Sequence, residues 1–202
     1  MSPRALTPSP KLGARFETAL AEALYVHKTD TRKGKRTPYV SHLLGVCSLV
    51  LQHGGSEDEA IGALLHDTLE DHPELVTPAG LRKRYGAKVL AIVQGCTDTP
   101  ANYKGGAKPA WRLRKEAYVK HMAVAGQPTQ MVALADKLYN LREVNSDLRE
   151  HGKKTLKRFN AGAADQLWYF SAVLRALTKS GFRGALLDAY ALEVKEFRRL
   201  TR

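Results

Sequence analysis

Apolar residues return at helical spacing along most of this chain, and no convincing set of alternating apolar runs suggests strands. Phe16, Leu20, Leu24 and Tyr25 mark a first helix over 14–27. The glycine-containing basic stretch 28–37 reads as a loop. Pro38 opens a second helix carrying Val40, Leu43, Leu44, Val46, Cys47 and Val50, and Gly54-Gly55 ends it. Ser56 and Glu59 have capping-box spacing ahead of a helix over about 57–70 with Ile61, Leu64, Leu65 and Leu69. Thr77 caps a short helix around 78–84, and Gly86 separates it from another over 87–96. Two prolines and a Gly-Gly pair make 98–109 a loop. Helices over 110–125, 129–146, 162–179 and 183–200 follow. The pattern predicts an all-α fold of nine or ten helices in one compact domain, residues 13–202, behind a flexible tail, residues 1–12.

Composition fits that picture. The chain has 202 residues, 44% hydrophobic and 26% charged, enough apolar material for a real core. No apolar run approaches the roughly 18–20 residues of a membrane span. The Pro- and Ser-containing N-terminus has no apolar segment of signal-peptide type. Cys47 and Cys96 are far apart and form no CxxC, which suits two buried thiols in a reduced, cytoplasmic setting.

Charge sharpens the reading. The net charge is +12, from 32 Lys plus Arg against 20 Asp plus Glu, which favours anionic partners. Residues 28–36, 104–120 and 149–158 are basic, whereas acids gather in 57–74. An acidic centre ringed by cations fits a metal site that accepts a phosphorylated substrate. General solubility explains the charge equally well.

The candidate chemistry lies in His42, His66-Asp67, Glu70-Asp71 and Asp136. Adjacent helical residues point about 100° apart, and a long His and a short Asp can still converge on one ion. Glu70 lies four residues after His66, and Asp71 four after Asp67, so each stacks one turn along. Acids at the end of the 57–70 helix would oppose its macrodipole, which weighs against a solvated helix end as their whole explanation. A lone His such as His42 is more often a satisfied core group. Asp136 follows the apolar run Met131 to Ala135 and needs a partner: a cation, a cap, or Lys137 or Arg142. Two imidazoles and two carboxylates together make a ligand set for a divalent metal.

These residues, in this order, resemble the H…HD…D pattern of the HD-superfamily metal-dependent phosphohydrolases. Arg32-Lys33-Gly34, Thr37 to His42, Ala63 to Asp71 and Leu134 to Arg142 are similar to the (p)ppGpp hydrolase domain of RelA/SpoT-type enzymes. Tyr85-Gly86-Ala87-Lys88-Val89 and Cys96-Thr97-Asp98 extend the likeness, which covers about residues 14–146. Too few residues remain for a synthetase or regulatory domain, so the stand-alone small alarmone hydrolases are the nearest likeness. The resemblance implies one Mn²⁺ ion held by His42, His66, Asp67 and Asp136. It implies hydrolysis of the 3′-pyrophosphate of (p)ppGpp, giving GDP or GTP and pyrophosphate. Glu70 and Asp71 would handle water. Arg32 would pack on the base, with Lys33, Ser41 and Asn140 near substrate. By charge alone, Lys104, Lys108, Arg112, Arg114 and Lys115 are placed on the pyrophosphates.

Leu43 stands where the family commonly has proline, and Glu143 where long RelA/SpoT enzymes have threonine. The 98–112 loop also departs. These differences leave the metal set intact and keep other substrates open: an adenosine alarmone, NADPH, or pyrophosphorylated tRNA with antitoxin duty. A non-catalytic nucleotide- or RNA-binding module would lack some of the ligand set. Trp168, Tyr169, Phe170 and Tyr190 mark the C-terminal helical pair for core packing, or for oligomerisation.

Overall fold

The computed structural model describes residues 10–98 and 109–202. The chain there is helical: α1 (Ala14–Val26), α2 (Val40–Gln52), α3 (Glu57–Leu65), α4 (Thr68–Asp71), α5 (Pro78–Cys96), α6 (Trp111–Met122), α7 (Gln127–His151), a 3₁₀ helix (Gly152–Arg158), α8 (Ala163–Lys179) and α9 (Ala185–Thr201). Among the described residues the one β feature is an isolated antiparallel bridge between Thr31 and Pro38. The tail residues before Pro10, and Lys104, Gly105-Gly106 and Lys108, lie outside the described residues.

The caps follow the sequence. Ser56 Oγ accepts from the Glu59 amide, and Glu59 Oε2 accepts from the Ser56 amide at 2.7 Å, closing the capping box. Thr77 Oγ1 caps α5 through the Gly80 amide. Gly86, at φ +88°, breaks the helical path inside α5 and so separates the two predicted segments without a full loop. Pro38 starts its segment as a tight turn, since Ser41 N–H bonds Pro38 O and His42 N–H bonds Tyr39 O before α2 proper.

Two predictions need correction. The expected helix over 57–70 is two, because the ladder breaks at His66-Asp67, where Thr68 Oγ1 bonds Leu65 O at 2.7 Å. Glu70 and Asp71 therefore occupy the first turn of α4, where a helix favours acids, and not the last turn of a longer helix. The helix over 129–146 runs from Gln127 to His151, and the basic stretch after it is helical too.

α7 is the central strut, packed against α2, α3, α5 and α9. Its buried Val132, Leu134, Leu138 and Leu141 are each worth about 1.5–3 kcal/mol. At one point the packing is tight: a Cβ on Gly45 of α2 would overlap the ring of Tyr139 of α7. In the C-terminal pair, Tyr190 and Phe197 are fully buried, and Phe170 meets Phe197 edge-on with centroids 5.2 Å apart. These aromatics serve core packing. Among the described residues no helix is long and apolar enough to cross a membrane.

Candidate active site

Four predicted ligands from separate elements meet at the middle of α7. His42 comes from α2, His66 and Asp67 from the α3–α4 break, and Asp136 from α7. His42 Nε2 lies 3.3 Å from His66 Nε2, 3.6 Å from Asp67 Oδ2 and 3.4 Å from Asp136 Oδ1. His66 Nε2 lies 2.9 Å from Asp67 Oδ2 and 3.8 Å from Asp136 Oδ1. Ligands about 2.1 Å from one ion and at right angles to each other are about 3 Å apart, so this set has the span a small divalent cation needs. The α3–α4 break lets neighbouring residues aim at one point, which a continuous helix would hinder.

The surroundings fix these donors. His66 Nδ1 bonds Ala63 O at 2.9 Å, which leaves Nε2 to present its lone pair to the cluster. Tyr39 Oη donates to Asp67 Oδ2 at 2.5 Å. Asp136 accepts from Lys137 Nζ at Oδ2 and from Asn140 Nδ2 at Oδ1. Lys137 is thus the salt-bridge partner foreseen for Asp136, and it coexists with the imidazoles. His42 is 1% exposed, and its Nδ1 has no hydrogen-bond partner among the described residues, so its polar contacts are all on the Nε2 side.

Electrostatics also favour a cation. Burial opposes a charged His66, yet Asp67 and Asp136 outweigh it and hold the imidazole well above its ordinary pKa. For His42, burial wins and lowers the pKa. Burial works against ionised Asp67, but His66 and His42 keep it well below the usual carboxylate range. Asp136 is held down in the same way, by Lys137 first and then the imidazoles. With neutral imidazoles the set offers two negative charges. The two carboxylates favour positive charge at this point, and a divalent cation would supply it, so these residues fit such an ion.

Glu70 and Asp71 line a cavity of about 230 Å³ with Asp67, Asp136 and Lys137. Thr97 Oγ1 donates to Glu70 Oε2 at 2.8 Å. Lys115, Lys137, Asn140, Tyr39 and Asp71 also border a second cavity of about 700 Å³, so the two are neighbours that share these five residues. Its wall carries Arg32, Lys33, Lys35 and Arg158 with Trp111 and Phe159.

Arg32, Lys35 and Arg158 of that wall, with Arg114 and Lys115, sit in ion pairs. Arg32 Nε lies 3.0 Å from Glu143 Oε2, and Arg32 Nη2 bonds both Glu143 Oε2 and Asn140 Oδ1 at 2.5 Å. Asp147 receives Lys35 at 2.9 Å and Arg158. Asp98 receives Arg114 and Lys115, each at 2.5 Å. Burial would raise Asp98, but Lys115 and Arg114 keep its pKa below the ordinary value.

Of the predicted substrate residues, Arg32, Lys33 and Asn140 line the large cavity. Ser41 lines neither, and its hydroxyl bonds Pro38 O at 2.8 Å. Arg114 and Lys115 face the cavities, whereas Arg112 lies 3.3 Å over the Trp168 ring. Sequence reasoning missed Tyr39, Lys137 and Arg158 as site residues. Tyr39 and Lys137 stood inside the matched segments, adjacent to or one turn from ligands. Arg158 had only its basic neighbourhood as a signal.

The profile of the HD domain family matches residues 19–160. A guanosine-3′,5′-bis(diphosphate) 3′-pyrophosphohydrolase MESH1 of Xenopus tropicalis is 37% identical over 121 residues, covering 58% of this chain and 63% of that protein. The Homo sapiens protein of the same name is 34% identical over 122 residues, covering 59% and 63%. The chain thus spans just under two thirds of the length of these curated relatives. A solved structure described as a metazoan ortholog of SpoT that hydrolyses ppGpp and plays a role in starvation responses superposes with a TM-score of 0.69. It is 26% identical, with 96% of this chain and 97% of that one covered.

Proposed function

The chain belongs to the HD domain family, and from that premise we propose that it is a metal-dependent pyrophosphohydrolase of (p)ppGpp. Water is consumed, pyrophosphate leaves the 3′ position, and GDP or GTP remains with a free 3′-hydroxyl. We place the reaction in the cytoplasm and assign it to residues 13–202 as one hydrolase domain. The observation that carries this reading is the adjacency of the two cavities. A compact donor set for a divalent ion lies beside a larger space walled by cations and aromatic rings, and the two share five lining residues.

His42 Nε2, His66 Nε2, Asp67 Oδ2 and Asp136 Oδ1 would hold one Mn²⁺, whose oxygen and imidazole preferences suit this thiolate-free set. When bound, such an ion lowers the pKa of water and polarises a phosphoryl oxygen. Glu70 and Asp71 face that position, and their carboxylates would take and pass on the proton of the attacking water. Lys137 and Lys115, which line both cavities, and Arg114, which lines the larger one, would offset the charge of the pyrophosphate. Arg32 offers a planar guanidinium for stacking on guanine, and Asn140 and Lys33 offer donors for ribose and phosphate. Ser41 is the weakest member of the set, since its hydroxyl is already turned to Pro38.

The test is incubation of ppGpp with metal-loaded protein and identification of products by mass. Equal amounts of GDP and pyrophosphate are expected with Mn²⁺, and neither after chelation. Unchanged ppGpp in the presence of Mn²⁺ would sink the reading.

A further inference from the structure

Against the ring of Tyr39, a second group of ligand-type side chains is assembled. His27 follows the end of α1, Asp30 lies in the turn after it, and His72 follows α4. Asp30 Oδ2 is 2.7 Å from both His27 Nδ1 and His72 Nε2. All three donor atoms lie within 4.8 Å of one another. We propose that His27, Asp30 and His72 form a second divalent-cation site, of the borderline, imidazole-preferring class that includes zinc.

Four observations carry this. The ligands are two imidazoles and a carboxylate, the donor set that suits zinc-class ions and leaves further positions for water. The far nitrogen of His72, Nδ1, bonds Glu74 Oε1 at 2.9 Å, the carboxylate–imidazole arrangement that orients a metal-binding histidine. The backbone is fixed on both sides: Asp30 N–H bonds His27 O, Tyr39 N–H bonds Asp30 O, and His72 N–H bonds Thr68 O. Access is also right. The His27 side chain is fully buried, while Asp30 and His72 side chains are 30% and 19% exposed, so an ion arrives from the solvent side onto a fixed base.

His27 caps the C-terminal end of α1, where the helix favours positive charge. Burial lowers the His27 pKa, towards the form that ligates, whereas Asp30 and Glu74 raise that of His72, so an ion there would displace a proton. Lys28, the adjacent cation, is turned onto the Tyr25 ring at 4.7 Å and leaves the carboxylate to the imidazoles. To admit an ion, the two 2.7 Å contacts must open by roughly a few tenths of an ångström, within reach of the partly exposed Asp30 and His72 side chains.

The site borders the first one through a single ring. Tyr39 stacks on His27 with centroids 5.0 Å apart, and its hydroxyl bonds Asp67.

Metal counting on chelator-stripped protein, reloaded with Zn²⁺ and dialysed, tests the assignment. Two equivalents per chain are expected in the native protein. One is expected in His72→Gln and in Asp30→Asn, whose positions are partly exposed, with helical circular dichroism unchanged. Asp136→Asn should also keep one, and its combination with His72→Gln should keep none. One equivalent in the native protein that His72→Gln retains and Asp136→Asn loses would overturn this proposal while leaving the first site standing. Two equivalents in native, His72→Gln and Asp30→Asn alike would overturn it as well.

Discussion

The metal end of the cavity and its basic wall are built on opposite electrostatic plans. At the metal end, two carboxylates and two imidazoles converge, and the carboxylates push the His66 pKa up. Along the wall, every named cation of Arg32, Lys35, Arg158, Arg114 and Lys115 is already held by a carboxylate of the same chain. The first region calls for charge from outside. The second meets most of its charge from within, and the anionic substrate proposed above would have to compete with Glu143, Asp147 and Asp98. Association there exchanges one set of ion pairs for another, so the wall contributes selectivity more than raw attraction.

Substitutions separate the two plans. The largest effect is expected from Asp67→Asn, which removes a ligand and the acceptor for Tyr39 and His66. Pyrophosphate release should fall by on the order of 10⁴-fold, and bound Mn²⁺ should be lost with it. Retained manganese at full occupancy would break the assignment of the metal end.

Glu70→Gln should lower kcat by about 10²–10³-fold while the ion stays bound. Steady-state kinetics with parallel metal analysis distinguishes this from ligand loss. An unchanged kcat would remove Glu70 from the chemistry and leave Asp71 as the water-handling carboxylate.

At the wall, Glu143→Gln should free the Arg32 guanidinium and lower KM by about threefold, with kcat unaltered, as expected for a partly exposed ion pair. A rise in KM would mean that Glu143 itself touches the substrate. The smallest effect is expected in stability. The folded pKa of Asp98 lies below its ordinary value, so its pairing stabilises the fold fully above about pH 4 and less as pH falls below it. The urea midpoints of native protein and Asp98→Asn should therefore differ at pH 7 and approach each other in acid. A difference that stayed constant down to pH 3 would show that Asp98 acts through packing.

The metal end was far more legible in the sequence than the wall. His42, His66, Asp67 and Asp136 are each unusual in their local setting, a polar group among apolar helix positions, and burial demands a partner for such groups. The helix periods were likewise readable, and Gly86 marked its own break. The wall gave no comparable signal. Its Arg158 comes from a 3₁₀ helix without apolar period, and two of its pairs, Arg32 with Glu143 and Lys35 with Asp147, join residues more than a hundred positions apart. The split between α3 and α4 was also hidden, because Leu64, Leu65 and Leu69 continue a helical period across it. At the break the Thr68 hydroxyl bonds Leu65 O, a local side-chain contact that apolar periodicity does not report.

The contact of Tyr139 with the notch at Gly45 has a mechanical meaning. Gly45 is three residues beyond His42 on α2, and Tyr139 three beyond Asp136 on α7. The ring works as a gear tooth set one turn from each ligand, so the two helices cannot slide along each other without unseating it. The gap between His42 and Asp136 is therefore a fixed gauge, set by the scaffold before any ion arrives. The opposite jaw, His66 and Asp67 on the broken helix, is held by side-chain hydrogen bonds to Ala63 O and Tyr39 instead.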